Sequence, residues 1–227
     1  MQQLDFEIAG ALRTIVIDML VVAGWTGRDA VAVERHIAEL AAVGVRRPSS
    51  VPCFYRLGAS LLTHEPVIDV IGSSSSGEAE VVLLALVDGL YVTVGSDHTD
   101  RDVEVYSVAV AKQICPKPVS RQVWPFEEVE SHWDELILRS WATADGRREL
   151  YQEGVLAEIL PPRDLMARYL GQSGALPAGT AMYCGTLAVN GVIRAAESFE
   201  IELEDPRLHR KLCHAYRARS LENRDQG

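Results

Sequence analysis

The chain has 227 residues, of which 48% are hydrophobic and 24% charged, and a net charge of −10. That length suffices for one large or two small domains with a substantial core, and the composition is ordinary for a soluble globular protein. The negative balance argues against a general binder of nucleic acid or of anionic membranes. The four cysteines, Cys53, Cys115, Cys184 and Cys213, are widely spaced and form no CxxC pair. Free thiols in a reducing cytoplasm are therefore expected. No charged-then-apolar signal opens the chain, and Asp18 interrupts the short apolar stretch from Ile15 to Ala23. Neither export nor a membrane span is expected.

In chain order, Leu12 to Ala23 has β-branched, apolar character and ends in a loop from Gly24 to Asp29. Asp29 to Val43 reads as an amphipathic helix whose apolar face carries Val31, Val33, Ile37, Leu40 and Val43. Pro48 to Pro52 is a turn-rich connector. From Cys53 to Val110 the pattern is almost all strand, with Ser73 to Gly77 as a flexible loop. Pro116 and Pro118 break any regular element around Lys117, and Glu127 to Leu136 holds a short helical segment. Leu136 to Trp141 and Glu149 to Gln152 flank Asp145-Gly146 as a hairpin. Pro161 to Leu170 is a helix with prolines at its start. Thr180 to Cys184 and Glu197 to Glu204 are strands. The basic stretch from Arg207 to Arg224 is read as a solvated terminal element. The picture is one mainly β unit with a few helices.

The most informative cluster is acidic. Glu78 and Glu80 are two apart on a strand and so point to one face. The run Val81 to Val87, then Asp88-Gly89, then Leu90 to Val94 is a strong hairpin signal. Pairing Val87 with Leu90 places residues whose numbers sum to 177 opposite each other, so that Glu80 faces Asp97 and Glu78 is its diagonal neighbour. Facing like charges are unfavourable and call for a counter-charge. A hard divalent cation such as Mg²⁺ suits such oxygens and keeps positions open for water or substrate. The alternative is a solvated sheet face carrying scattered acids.

Other residues offer chemistry beside a bland reading. His36 and Glu39 are surface neighbours on the proposed helix, either a general-base pair or a solvated face. Lys112 is a candidate for neutralising a carboxylate or an enolate, or a plain surface charge. Asp97, His98, Asp100, Arg101 and Asp102 form a dense polar run. Gly185-Thr186 brings a backbone N–H and a hydroxyl near a ligand, or makes a turn. No P-loop, dinucleotide fingerprint or Gly-x-Ser-x-Gly is present.

Taken in order, these pieces resemble the fumarylacetoacetate hydrolase superfamily, over residues 20 to 205. The matching motifs are His36-Ile37-Ala38-Glu39, Pro52-Cys53-Phe54-Tyr55-Arg56, Glu78-Ala79-Glu80, Ser96-Asp97-His98-Thr99-Asp100-Arg101-Asp102, Lys112, and Pro177 to Thr180 leading to Gly185-Thr186. The chain departs from the pattern at Ser96 (commonly Asn), Glu104 (often Gln), Pro116-Lys117-Pro118 (a Gly-Pro segment) and Leu187 (usually Pro). It resembles a divergent branch without an assigned activity.

The resemblance implies an α+β, predominantly β fold, a mixed β-roll. Residues 1–50 would supply an N-terminal strand and lid-like helix, and 51–227 the catalytic roll. It implies a homodimer binding Mg²⁺ (or Mn²⁺ or Ca²⁺) through Glu78, Glu80 and Asp97. His36 and Glu39 would activate water, Lys112 and Thr186 would orient the substrate, and Arg56 would bind its carboxylate. The implied reaction is hydrolysis of a C–C bond in a small 2-oxo or 1,3-diketo acid, such as an acylpyruvate. The alternatives are a hydratase, decarboxylase or isomerase on a 2-oxo acid, or a non-catalytic small-molecule binding protein. A small 2-oxo acid is the expected partner, without nucleic acid or membrane.

Overall fold

The computed structural model describes residues 1–42, 47–171 and 174–221. In chain order the first elements are β1 (Gln2–Ile8), β2 (Ala11–Ile17), β3 (Met19–Gly24), α1 (Ala30–Ala42), β4 (Cys53–Leu57), β5 (Leu62–Thr63), β6 (Val67–Ile71) and β7 (Ser75–Ser76). Next come β8 (Ala79–Leu86), β9 (Gly89–Ser96), β10 (Thr99–Asp100), α2 (Arg101–Tyr106), α3 (Val108–Gln113), β11 (Lys117–Pro118), β12 (Trp124–Pro125) and α4 (Phe126–Val129). The chain continues through β13 (Ile137–Ala144), β14 (Arg147–Val155), α5 (Pro162–Leu170), β15 (Thr180–Thr186), β16 (Ser198–Asp205) and β17 (Arg210–Leu221).

Two sheets carry the architecture. A six-stranded sheet runs β12-β9-β8-β15-β3-β4, and a five-stranded sheet runs β14-β13-β16-β17-β6. Three two-stranded pairs, β1-β2, β10-β7 and β11-β5, complete the mixed, predominantly β fold. Strand β8 lies inside the first sheet and is apolar on both faces. Val81 and Leu83 pack with Leu138, Ile201, Leu203 and Leu212 of the second sheet. Val82 and Leu84 pack on the opposite side with Phe6, Ile17, Leu62 and Tyr183. A strand buried on both faces reads as a continuous apolar run rather than an alternating one, which is why residues 81 to 86 carry no polar side chain.

Several local devices set the boundaries. The Asp29 carboxylate accepts from the amides of Val31 (2.9 Å) and Ala32 (3.1 Å) and so starts α1. The β13–β14 hairpin turns at Asp145 and Gly146, both with positive φ (50° and 70°), the conformation a tight two-residue hairpin requires. No helix among the described residues is long and apolar enough to cross a membrane.

Four sequence expectations are corrected. The β8–β9 hairpin turns at Val87-Asp88, with Leu86 opposite Gly89, so facing numbers sum to 175 rather than 177. The strand character expected up to Val110 ends at Asp100. Asp100 caps α2 through the Val103 amide (3.0 Å) and Ser107 caps α3 through the Val110 amide (3.4 Å). Ser75 and Ser76 are buried in β7 against β10 rather than in a flexible loop. The basic terminal stretch is mostly β17, a strand between β16 and β6, and it buries Leu212 and Tyr216. Lys211, Arg217 and Arg219 occupy outward positions and hide an inward Leu212, His214, Tyr216 series with the period of a strand.

Because Leu212 is core rather than tail, Leu212→Ala should destabilise the protein by about 2–5 kcal/mol in denaturant unfolding. A solvated tail would give no measurable change. Burial, and secondarily the neighbouring His64 and Arg121 charges, push the His214 imidazole down to about 4 from its usual 6.5. The unfolded chain therefore takes up this proton near pH 6.5 and the folded chain only near pH 4. His214 contributes stability that is complete above pH 6.5 and is lost as the pH falls through that interval. Thermal unfolding should show the loss, and His214→Phe should reduce it.

Candidate metal centre

The cluster forms where the β8–β9 pair runs out of apolar residues. Glu78 precedes β8 and continues the Val82 and Leu84 face through Glu80. The Asp97 amide donates to the Glu78 carbonyl (2.9 Å), so Asp97 faces Glu78, and Glu80 lies opposite Gly95. The two-residue change in register preserves parity, so all three carboxylates still share a face. One ligand oxygen from each lies within 4.8 Å of the others.

Burial makes this gathering expensive. Glu80 and Asp97 are 2% and 0% exposed. Three cations answer them. Lys112 of α3 is ion-paired to Asp97 and lies 3.3 Å from Glu78. Arg101 of α2 lies 3.0 Å from Glu78 and also holds Glu104 (2.8 Å) and the Ser76 hydroxyl (2.7 Å). Lys117 of β11, fully buried, lies 3.2 Å from Asp97 Oδ1. Its ammonium donates to the carbonyls of His98 (2.6 Å), Lys112 (2.5 Å) and Cys115 (3.0 Å). With its three protons so committed, Lys117 gives Asp97 Oδ1 charge but no hydrogen bond. Among the described residues that buried oxygen has no hydrogen-bond partner.

The electrostatics divide the acids. Burial raises the Asp97 carboxyl, but Lys112 and Lys117 outweigh it and hold the group below its usual value. At Glu78 burial is likewise outweighed, by Lys112 and Arg101. Glu80 is pushed well above the usual range by burial and by Asp97, and the Lys112 charge and the amide of Gly185 (2.7 Å) only partly oppose this. Burial pushes Lys117 down and Asp97 opposes it. Burial, then Lys117 and Arg101, lower His98 to about 3, so its imidazole is neutral.

An oxygen-only donor set, a buried oxygen without a hydrogen bond and a glutamate short of positive charge fit a hard divalent cation. Glu78, Glu80 and Asp97 are the residues that would hold it.

The neighbouring strand fixes the spacing. Thr186 pairs with Glu80, donates its hydroxyl to the Ala79 carbonyl (2.8 Å) and accepts from Gln152 Nε2 (2.7 Å). Gln152 Oε1 accepts from the Ala79 amide (3.0 Å). Gly185 has φ +99°, and a Cβ there would lie 1.8 Å from Thr26 Oγ1. Only glycine brings the Gly185 amide onto Glu80 with Thr26 behind it.

Lys112 thus joins the acid cluster. Thr186 lies beside it, with its one proton given to backbone. Arg56 is exposed and donates to the Tyr169 hydroxyl (3.3 Å) rather than to an acid of the cluster. On β4 it occupies the face opposite Cys53 and Tyr55, whose thiol and phenol feel the Lys112 charge. His36 and Glu39 fall on α1 as expected, but their side chains lie outside the described residues. Sequence reasoning passed over Lys117, Gln152 and the partners of Arg101. Lys117 carried one signal, a charged residue between two prolines.

A family described as "Protein of unknown function (DUF2848)" matches residues 23–216. No curated protein matches the chain. Several solved structures share its fold. A candidate fumarylacetoacetate isomerase/hydrolase from Oleispira antarctica is 20% identical, with a TM-score of 0.71, covering 94% of this chain and 99% of that one. A 2-keto-3-deoxyarabinonate dehydratase is 14% identical, with a TM-score of 0.67, covering 96% and 80%. A 2-hydroxyhepta-2,4-diene-1,7-dioate isomerase from Mycobacterium marinum is 15% identical, with a TM-score of 0.62, covering 91% and 77%.

Gly185→Ala should lower the melting temperature and weaken Mn²⁺ binding in calorimetry, because the amide must leave Glu80 to clear Thr26. Unchanged affinity would show that this amide does not set the site. The chain has the fumarylacetoacetate hydrolase fold and belongs to the DUF2848 family.

Proposed function

We propose that this protein is a divalent-metal-dependent hydrolase that cleaves a C–C bond in a small 2-oxo or 1,3-diketo acid. The observation that carries the reading is the convergence of Glu78, Glu80 and Asp97 with Lys112 at one end of the β8–β9 pair. When bound, Mg²⁺ or Mn²⁺ would supply Lewis acidity toward the 2-keto oxygen.

The remaining work falls to the chain. Glu39 orients His36, and the His36 imidazole takes a proton from water as its oxygen joins the acyl carbon. The C–C bond breaks with its electron pair passing to the 2-oxo fragment as an enolate. The proton then returns to that fragment's carbon, giving a carboxylic acid and a 2-oxo acid. The Lys112 ammonium faces the developing negative charge. Thr186 keeps the strand carrying Glu80 in register, and α1 closes over the site. We place the enzyme in the cytoplasm as a homodimer.

A lyase or isomerase on a similar acid is the second reading, supported by the dehydratase and isomerase named among the structures with this fold. The full chain should consume acylpyruvates only with Mg²⁺ or Mn²⁺, seen as loss of ultraviolet absorbance. Asp97→Asn should abolish turnover, and His36→Ala should lower kcat by about 100-fold or more. Release of CO₂ from oxaloacetate without acylpyruvate cleavage would select the second reading. Metal binding without turnover of any 2-oxo acid would indicate a binding protein, and full activity in His36→Ala would remove the dyad from the mechanism.

A further inference from the structure

Asp97 points into the acid cluster, and the residues on either side of it point the other way, as alternation in an extended segment requires. Ser96 and His98 both reach toward the five-stranded sheet, and both end on one group, the hydroxyl of Tyr216 on β17. That hydroxyl lies 2.7 Å from Ser96 Oγ and 3.0 Å from His98 Nδ1. Ser96 Oγ also accepts from the Glu78 amide (3.1 Å), and His98 Nε2 meets Ser75 Oγ (2.9 Å). The same His98 offers its carbonyl to Lys117 (2.6 Å).

One phenol oxygen is thereby tied to both residues flanking one metal-ligand candidate and, through a single hydroxyl, to the backbone of a second. Nothing in this chain of contacts faces solvent: Ser75, Ser96, His98 and Tyr216 are each at most 3% exposed. Phe199 packs on the His98 and Tyr216 rings, each centroid 5.7 Å away. A Cβ on Gly77 would lie 2.6 Å from the Tyr216 hydroxyl, so the chain leading into Glu78 passes directly against it.

We propose that Tyr216 is a positioning residue of the metal centre, setting the distance between the Asp97 and Glu78 carboxylates from behind. This rests on the metal reading above. Groups that hold metal ligands through hydrogen bonds typically govern affinity by 10- to 100-fold. Tyr216→Phe keeps the ring and its packing and deletes the one oxygen that joins Ser96 to His98.

The test is Mn²⁺ binding to the full chain, by calorimetry and by the electron paramagnetic resonance spectrum of the bound ion, with the metal-free melting temperature recorded alongside. Tyr216→Phe is expected to weaken Mn²⁺ about tenfold and to alter the spectrum of the bound ion. Tyr151→Phe, an equally buried tyrosine of the same aromatic cluster, is expected to leave both unchanged. Ser96→Ala cuts the same link from the other side and should reproduce the loss, which decides the matter if Tyr216→Phe does not fold. Affinity within twofold of the unaltered protein in Tyr216→Phe, or in Ser96→Ala, would overturn the role of Tyr216 and leave the metal centre standing. Failure of the unaltered protein to bind Mn²⁺ would overturn both.

Discussion

Three carboxylates on one sheet face, those of Glu80 and Asp97 buried and that of Glu78 half-buried, are the constraint around which the site is built. Each would be costly alone in a low-dielectric interior, and together they repel. The fold answers with the segment that follows Asp97 itself. It turns back through two short helices and a two-residue strand, so that Arg101, Lys112 and Lys117 all return to the acids within twenty residues of Asp97. Replacing one partner of such a buried set leaves an uncompensated charge, so the acids and cations of this segment depend on one another.

The compensation is uneven, and the unevenness gives the site its chemical character. Glu78 and Asp97 have cations in contact, while Glu80 has one backbone amide, the more remote Lys112 charge and two acidic neighbours. The structure therefore combines satisfied charges, which hold it together, with one deficit pointing at a common centre. A purely structural cluster has no need of that deficit. Perturbed groups of this kind, gathered where elements converge, are a recognised mark of functional sites.

Much of this was legible in the sequence. The acids could be placed on one face because strand alternation depends on parity alone, so reading the hairpin turn one position late moved Asp97 from Glu80 to Glu78 without taking it off that face. Helix α1, the Asp145-Gly146 hairpin and α5 were visible from caps, turn residues and prolines. The helices α2 and α3 were not, because Val103, Val105, Val108 and Val110 give their segment strand propensity, and capping by Asp100 and Ser107 with tertiary packing overrode it. Lys117 was passed over because only tertiary structure buries it. Strand β17 is hard to see because Lys211, Arg217 and Arg219 give its outward face the look of a solvated tail, although Leu212, His214 and Tyr216 hold the inward face.

The place of β17 in the fold also bears on how the protein comes to be functional. Its parallel partner is β6, and the two pair residues 150 apart in sequence, Arg217 beside Val67. The carboxylates, their cations and the β8–β9 hairpin all lie between residues 78 and 117, yet their backing arrives from Gly185 and Tyr216. During synthesis the charged centre emerges long before the strands that brace it. Closing contacts so distant in sequence costs chain entropy that the local β8–β9 hairpin does not, so the centre's shape depends on the whole fold and not on the segment that carries its charges.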